Sequence, residues 1–292
     1  MLIKKSDKEL NGIGIFGLGL GQSKQKYSYL PDAHNDFISS EATKDKTNIR
    51  DIRKKHLGKN IYDITGIEPF PFVGKWGWGE NRTDGGKQYQ CMNEWNQAFV
   101  DAVRTSGGCN VDRILGIPAY CTNVDIAIES FVMPTDSATD RLMISVHCYD
   151  PSEYTLTAKY SEWGHTAQSS KKAPGDNEAD LKKVFEKIYV NYISKGIPVY
   201  LGEFGCVNRG NAREQAFQQY YLKYFAKLSK TYGVPSIIWD NGAHGAGNER
   251  HAFIDHGTGE YCSAEAKAAI QAMITSYGNS LTLEDVYRNA PK

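Results

Sequence analysis

Two glutamates stand at the ends of apolar runs: Glu68 in "NIYDITGIEPFPF" (60–72) and Glu203 in "PVYLGEFG" (198–205). A carboxylate delivered by a buried strand costs free energy unless it is hydrogen-bonded, ion-paired or used for chemistry. Two such groups brought together could work as a catalytic carboxylate pair. Taken singly, Glu203 has half of a structural ion pair as its plain alternative, and Glu68 a loop position. The run "MISVHCYDP" (143–151) puts His147 and Tyr149 on one side of a strand, because strand side chains alternate with period two. A structural histidine is the plain alternative for His147. In "SIIWDNG" (236–242) the apolar run ends on Trp239, whose flat face suits either a sugar ring or a core.

These residues need elements that deliver them to one place. From about Asn60 onward, strand-like and helix-like segments alternate, the pattern of a parallel α/β sheet or barrel. The expected strands are 60–67, 113–120, 142–149, 198–205 and 235–242. Each is a nearly continuous apolar run that turns polar or glycine-rich at its C-terminal end, as in strands covered on both faces. Amphipathic helices are expected at "MNEWNQAFVDAVRTSGG", with Gly107 as a stop, at "EADLKKVFEKIYVNYISKG", at "NAREQAFQQYYLKYFAKLSKTYG" and at "SAEAKAAIQAMITSYG", the last capped by Ser263 and stopped by Gly278. A long glycine-rich loop follows the final strand, where a barrel places its site.

The first 59 residues are different in kind, with "GIGIFGLGL" (12–20) their only strand-like run. Three βα units need on the order of 90 residues at roughly 30 each. The glycines Gly12, Gly14 and Gly17 match a dinucleotide fingerprint in spacing, but they lack the strand before and the helix after that such a site requires.

The 292 residues are enough for one large α/β domain, and the 40% hydrophobic share is enough for a sizeable core. With 34 basic and 34 acidic residues there is no charge footprint for nucleic acid or anionic lipid. The six cysteines form no C-x-x-C pair and have no histidine at metal-ligand spacing, so they read as free buried thiols and not as a zinc site. No run approaches the ~18 apolar residues of a membrane span, and the start "MLIKKSDKEL" lacks the apolar region of a signal peptide.

Taken in order, the segments "NEWNQAFVDAVRTSGGCNVDRILGIPAYCTN", "VMPTD", "MISVHCYDP", "GIPVYLGEFG" and "SIIWDNG" resemble glycoside hydrolase family 5, closest to its endo-β-1,4-glucanases and xyloglucanases. The resemblance covers about Lys59 to Met273. It implies an α/β fold, a (β/α)8 TIM barrel of the glycosidase type, incomplete at strands 1–3. Residues 60–292 would be the catalytic barrel portion, and 1–59 an atypical segment, a remnant of the first βα units. It also implies Glu203 as nucleophile and Glu68 as general acid/base. His147 and Tyr149 would line the cleavage site, Tyr149 holding Glu203, and Trp239 would form the sugar platform. The implied activity is retaining hydrolysis of plant cell-wall β-glucan by a monomer, outside the cell or in its envelope. The implied partner is a β-1,4-linked polysaccharide or oligosaccharide, with no metal or organic cofactor, no nucleic acid and no membrane.

Two departures stand against full activity. The family has Asn before the acid/base, where this chain has Ile67, and that Asn bonds the sugar 2-hydroxyl. The family also places an Arg and a His after its second and third strands, and neither His34 nor His56 sits in such a context. A non-catalytic glycan-binding protein and a truncated, inactive fragment are therefore the competing expectations.

Overall fold

The computed structural model describes residues 87–292. These fall into two compact units, one ending at Ile144 and the other running from Ser145. The strand expected over 60–67, the boundary at 59/60, strands 1–3 and the glycine run at 12–17 all lie outside the described residues.

In the unit ending at Ile144, helix α1 (Lys87–Thr105) begins ahead of the expected Met92. Lys87 and Gln90 extend it as good helix formers without extending the apolar stripe. Its Val100 and Val103 pack on Leu115 and Ile117 of β1 (Leu115–Pro118), and Phe99, Phe131 and Leu142 close the cluster. Successive turns of α1 also bind a loop. The Asn93 amide donates to Ser130 O at 2.8 Å and accepts from Val132 N at 3.1 Å. One turn on, Gln97 does the same with Thr135, at 3.0 and 2.9 Å. Arg104 grips Asp136 through two parallel bonds of 2.7 Å, with both side chains 6% exposed. The "VMPTD" segment is thereby tied to α1. A short helix the apolar pattern did not reveal, α2 (Val124–Ser130), is capped by Asn123, which accepts from Ile126 N at 3.0 Å. Strand β2 (Leu142–Cys148) opens in this unit, where Leu115 N donates to Arg141 O at 2.8 Å.

In the unit from Ser145, the remainder of β2, β3 (Val199–Phe204) and β4 (Ser236–Ile238) lie side by side in that order. Helices α3 (Ser152–Thr155) and α4 (Asn177–Asn191) precede β3, and α5 (Ala212–Tyr232) links it to a parallel β4. The chain then forms α6 (Ala264–Gly278) and α7 (Leu283–Arg288), the latter not foreseen. Helices α4 to α7 start at Asp176, Asn211, Ser263 and Thr282, whose side chains each accept a backbone N–H one turn in. Gly233 ends α5 at φ 68°, the left-handed turn that glycine adopts without a steric penalty. Among the described residues no helix is long and apolar enough to cross a membrane.

The core of this unit lies between β3 and α5. Phe225 stacks on Phe204 with ring centroids 4.0 Å apart and planes 7° apart, and Phe185 of α4 meets Phe225 edge-on at 5.2 Å. Trp163 is fully buried among Tyr220, Tyr221 and Tyr224. Burial in β3 is one-sided, with Val199 and Leu201 buried while Tyr200 and Gly202 are not. The cysteines also divide: Cys91, Cys148 and Cys206 are buried, Cys109 is exposed, and Cys121 and Cys262 lie between.

The register between β3 and β4 contains an irregularity that matters for the site. Leu201 pairs with Ser236 and Phe204 with Ile238, so β3 spends three residues where β4 spends two. Strict alternation would put residue 203 on the core face with Val199 and Leu201. The extra residue moves Phe204 onto that face instead and frees Glu203 from it, as bulges beside active sites do.

Candidate active site

Glu203 sits at the end of β3 with its side chain 29% exposed. Its Oε2 accepts a hydrogen bond from the Tyr149 hydroxyl at 3.0 Å. The His147 Nδ1 lies 3.5 Å from the same oxygen, at 25% side-chain exposure. Since His147 is in β2 and Tyr149 one residue beyond it, both arrive from the neighbouring strand.

Burial governs the protonation states. Desolvation pushes the Glu203 carboxyl above its usual range, while the Tyr149 bond pulls it back toward the ionised form. Burial lowers His147 to about 4, so the imidazole is neutral near pH 7 and its contact with Glu203 is not an ion pair. Tyr149 is held well above the ordinary tyrosine range, first by desolvation and then by the Glu203 charge, and remains a donor at every working pH. The result is an ionisable, half-buried carboxylate held by one phenol, with no cation within salt-bridge reach among the described residues other than a neutralised histidine. A structural ion pair would need such a cation.

Trp239 lies one residue past β4 and is half-buried, its backbone N–H bonded to Phe204 O at 2.8 Å. The following Asp240 shapes the loop. Its Oδ2 accepts from Phe253 N at 2.9 Å and Ile254 N at 2.8 Å, and its Oδ1 accepts from Gly242 N at 2.9 Å and meets His256 Nε2 at 3.2 Å. Asn241 continues the fold-back, donating to Glu249 O and accepting from Ala243 N and His251 N. Neither Asp240 nor Asn241 stood out in the sequence, although their position directly after Trp239 was visible. Glu203, His147 and Tyr149 are brought together; Glu68 lies outside the described residues.

A parallel sheet with a glutamate at the end of one strand, braced from the next, is a hydrolase-like arrangement on an α/β scaffold. The profile of the cellulase family (glycosyl hydrolase family 5) matches residues 32–245, and the chain belongs to that family. Its fold class is accordingly α/β, the (β/α)8 barrel. Endoglucanase A of Paenibacillus barcinonensis is 33% identical over 180 residues, 56% of this chain and 44% of that protein. A Bacteroidetes-affiliated GH5 cellulase linked with a polysaccharide utilization locus superposes with TM-score 0.71 at 42% identity, over 75% of this chain and 56% of the other. A GH5-4 broad specificity endoglucanase from Bacteroides salanitronis gives TM-score 0.68 at 41% identity, over 83% of this chain and 67% of the other. The chain thus spans less than half of the Paenibacillus enzyme.

Proposed function

We propose that this protein is a retaining endo-β-1,4-glucanase-like glycoside hydrolase acting on plant cell-wall β-glucan, whether cellulose, xyloglucan or mixed-linkage glucan. The observation that carries the reading is Glu203, placed by the β3 bulge against the Tyr149 hydroxyl in a chain of glycosyl hydrolase family 5. The names of its relatives, cellulase and broad specificity endoglucanase, support the substrate class.

In this reading Glu203 Oε attacks the anomeric carbon while the glycosidic C–O bond breaks, and Glu68 gives its proton to the leaving oxygen. Glu68, now a carboxylate, takes a proton from water, whose oxygen displaces Glu203 and restores both groups. Two inversions at one carbon retain the configuration, and the pair must stand about 5 Å apart. Trp239 stacks on a sugar face, and His147 lines the cleavage position as a neutral imidazole. Ile67 removes the 2-hydroxyl contact and lowers the rate. Residues 60–292 make the catalytic barrel portion, with 1–59 a divergent remnant of the first βα units, and the protein works as a monomer on glucan outside the cell or in its envelope.

The test is release of reducing ends from soluble mixed-linkage β-glucan and from xyloglucan, with anomeric configuration followed by NMR. Glu203→Gln and Glu68→Gln are expected to abolish release, and turnover that survives Glu203→Gln would sink the mechanism. Ile67 favours one second reading, a glycan-binding protein without turnover. Binding of the same glucans with no reducing ends from the wild-type chain selects it.

A further inference from the structure

His251 has no solvent exposure, and neither ring nitrogen has a hydrogen-bond partner among the described residues. Each unpaired buried polar group costs stability, so the fold carries this imidazole at a loss. Its surroundings indicate what the loss supports. The ring meets Tyr149 edge-on, with centroids 6.3 Å apart and planes at 69°. Gly205, directly after β3, borders both rings. A Cβ there would come within 3.3 Å of His251 Nδ1, a tight approach, and 3.6 Å of Tyr149 Cε1, an ordinary contact, so both rings lie beside the backbone two residues beyond Glu203. The His251 backbone is fixed on both sides. Its own N–H bonds to Asn241 Oδ1 at 3.3 Å, the preceding carbonyl of Arg250 accepts from Asn208 N at 2.7 Å, and the following carbonyl of Ala252 accepts from the Asn208 amide at 2.9 Å.

We propose that His251 is a positioning residue: packed against Gly205 and edge-on to Tyr149, its ring sets the angle at which the Tyr149 hydroxyl meets Glu203. The inference rests on Glu203 being the nucleophile. It makes His251 act through Tyr149 alone, without touching substrate. Among the described residues, the charges acting on the pair include Glu249, which with Glu203 raises Tyr149. Glu203 faces Tyr149 and His147, while Asp240 and Arg209 act on His251 with opposite signs.

A double-mutant cycle on the full chain tests this, with kcat measured on soluble mixed-linkage β-glucan. His251→Ala is expected to lower kcat about tenfold with Tyr149 present and less than about twofold in the Tyr149→Phe background, since residues acting in series are non-additive. His251→Phe, which restores a ring, should recover part of the loss. Gly205→Ala, which adds one methyl against both rings, should show the same dependence on Tyr149 and keeps the test open if His251→Ala does not fold. Titration of Glu203 by 13C NMR of carboxyl-labelled glutamate reads the same coupling without turnover: His251→Ala raises the Glu203 pKa only while Tyr149 is present. Equal kcat losses in both backgrounds, or an unmoved Glu203 titration, overturn the proposal. A wild-type chain that does not hydrolyse glucan overturns the proposed function instead, and the NMR cycle still decides the role of His251.

Discussion

The hydroxyl of Tyr149 donates to Oε2 of Glu203 across 3.0 Å, joining the residue after β2 to the end of β3. Desolvation raises the Glu203 pKa and this bond opposes it, so the bond keeps the carboxylate ionised where burial would protonate it.

Removing it has a definite sign. In Tyr149→Phe the Glu203 pKa rises, and the acidic limb of kcat/KM moves to higher pH, because the attacking group must be ionised. A hydrogen bond to a charged group contributes about 1.5–3 kcal/mol, so kcat at neutral pH is expected to fall roughly 10- to 100-fold. A pH–rate profile of the variant checks both. An acidic limb that stays put or moves down would count against the bond.

His147 and His251 are both lowered to about 4 by burial, against a usual value of 6.5. Between those values the unfolded chain binds more protons than the folded one. The contribution of the two histidines is therefore complete above about pH 6.5, falls as pH drops toward 4 and flattens below it, with a loss of a few kcal/mol. Urea unfolding at pH 7, 5.5 and 4 measures the slope. His251→Phe should remove a large part of it, whereas an unchanged slope would mean that His251 does not titrate as described.

Arg104 and Asp136 form a bidentate pair at 6% exposure, and the Arg104 hydrogen bond holds the Asp136 carboxyl below its usual range. Breaking a buried pair strands one charge, at a cost of about 3–5 kcal/mol. Arg104→Met is expected to destabilise by that order in denaturant melts, and Arg104→Lys by less, since it keeps the charge but not the two-pronged grip. A melt within error of wild type for Arg104→Met would refute the assignment.

Asp240 accepts two backbone amides on one oxygen and a third on the other. Asp240→Ala frees the loop after Trp239 and is expected to raise KM for glucan more than it lowers kcat, with a lower Tm. If KM holds while the loop is lost, Trp239 is not a binding surface.

Ile67→Asn restores a donor for the sugar 2-hydroxyl. An increase in kcat is expected, and an equal or lower rate would place the limit on activity elsewhere in the chain.

Much of the chemistry was legible in the residue order. The apolar run ending in Gly202-Glu203 marks a strand that delivers a carboxylate, and period two groups His147 with Tyr149. The cap at Ser263 marks a helix start because that signal is local to a few residues, whereas Gly278, expected as a stop, is the last residue of α6 and Asn279 ends the helix. Short elements such as α2 and α7 were not legible, since helices of 7 and 6 residues carry too little periodicity.

By itself, then, the sequence determined which residues stand at strand ends and which family the chain joins. The direction in which Glu203 points was decided elsewhere. Alternation along β3 would have sent it into the core with Leu201, and only pairing with β4, three residues against two, turns it toward Tyr149. His251 lies further still from local reading. It sits in a glycine-rich loop with no period or motif, and its neighbours Gly205 and Tyr149 are distant in the chain and adjacent only after folding. Strand ends follow from local chemistry, but facing and burial depend on partners that only tertiary packing brings into contact.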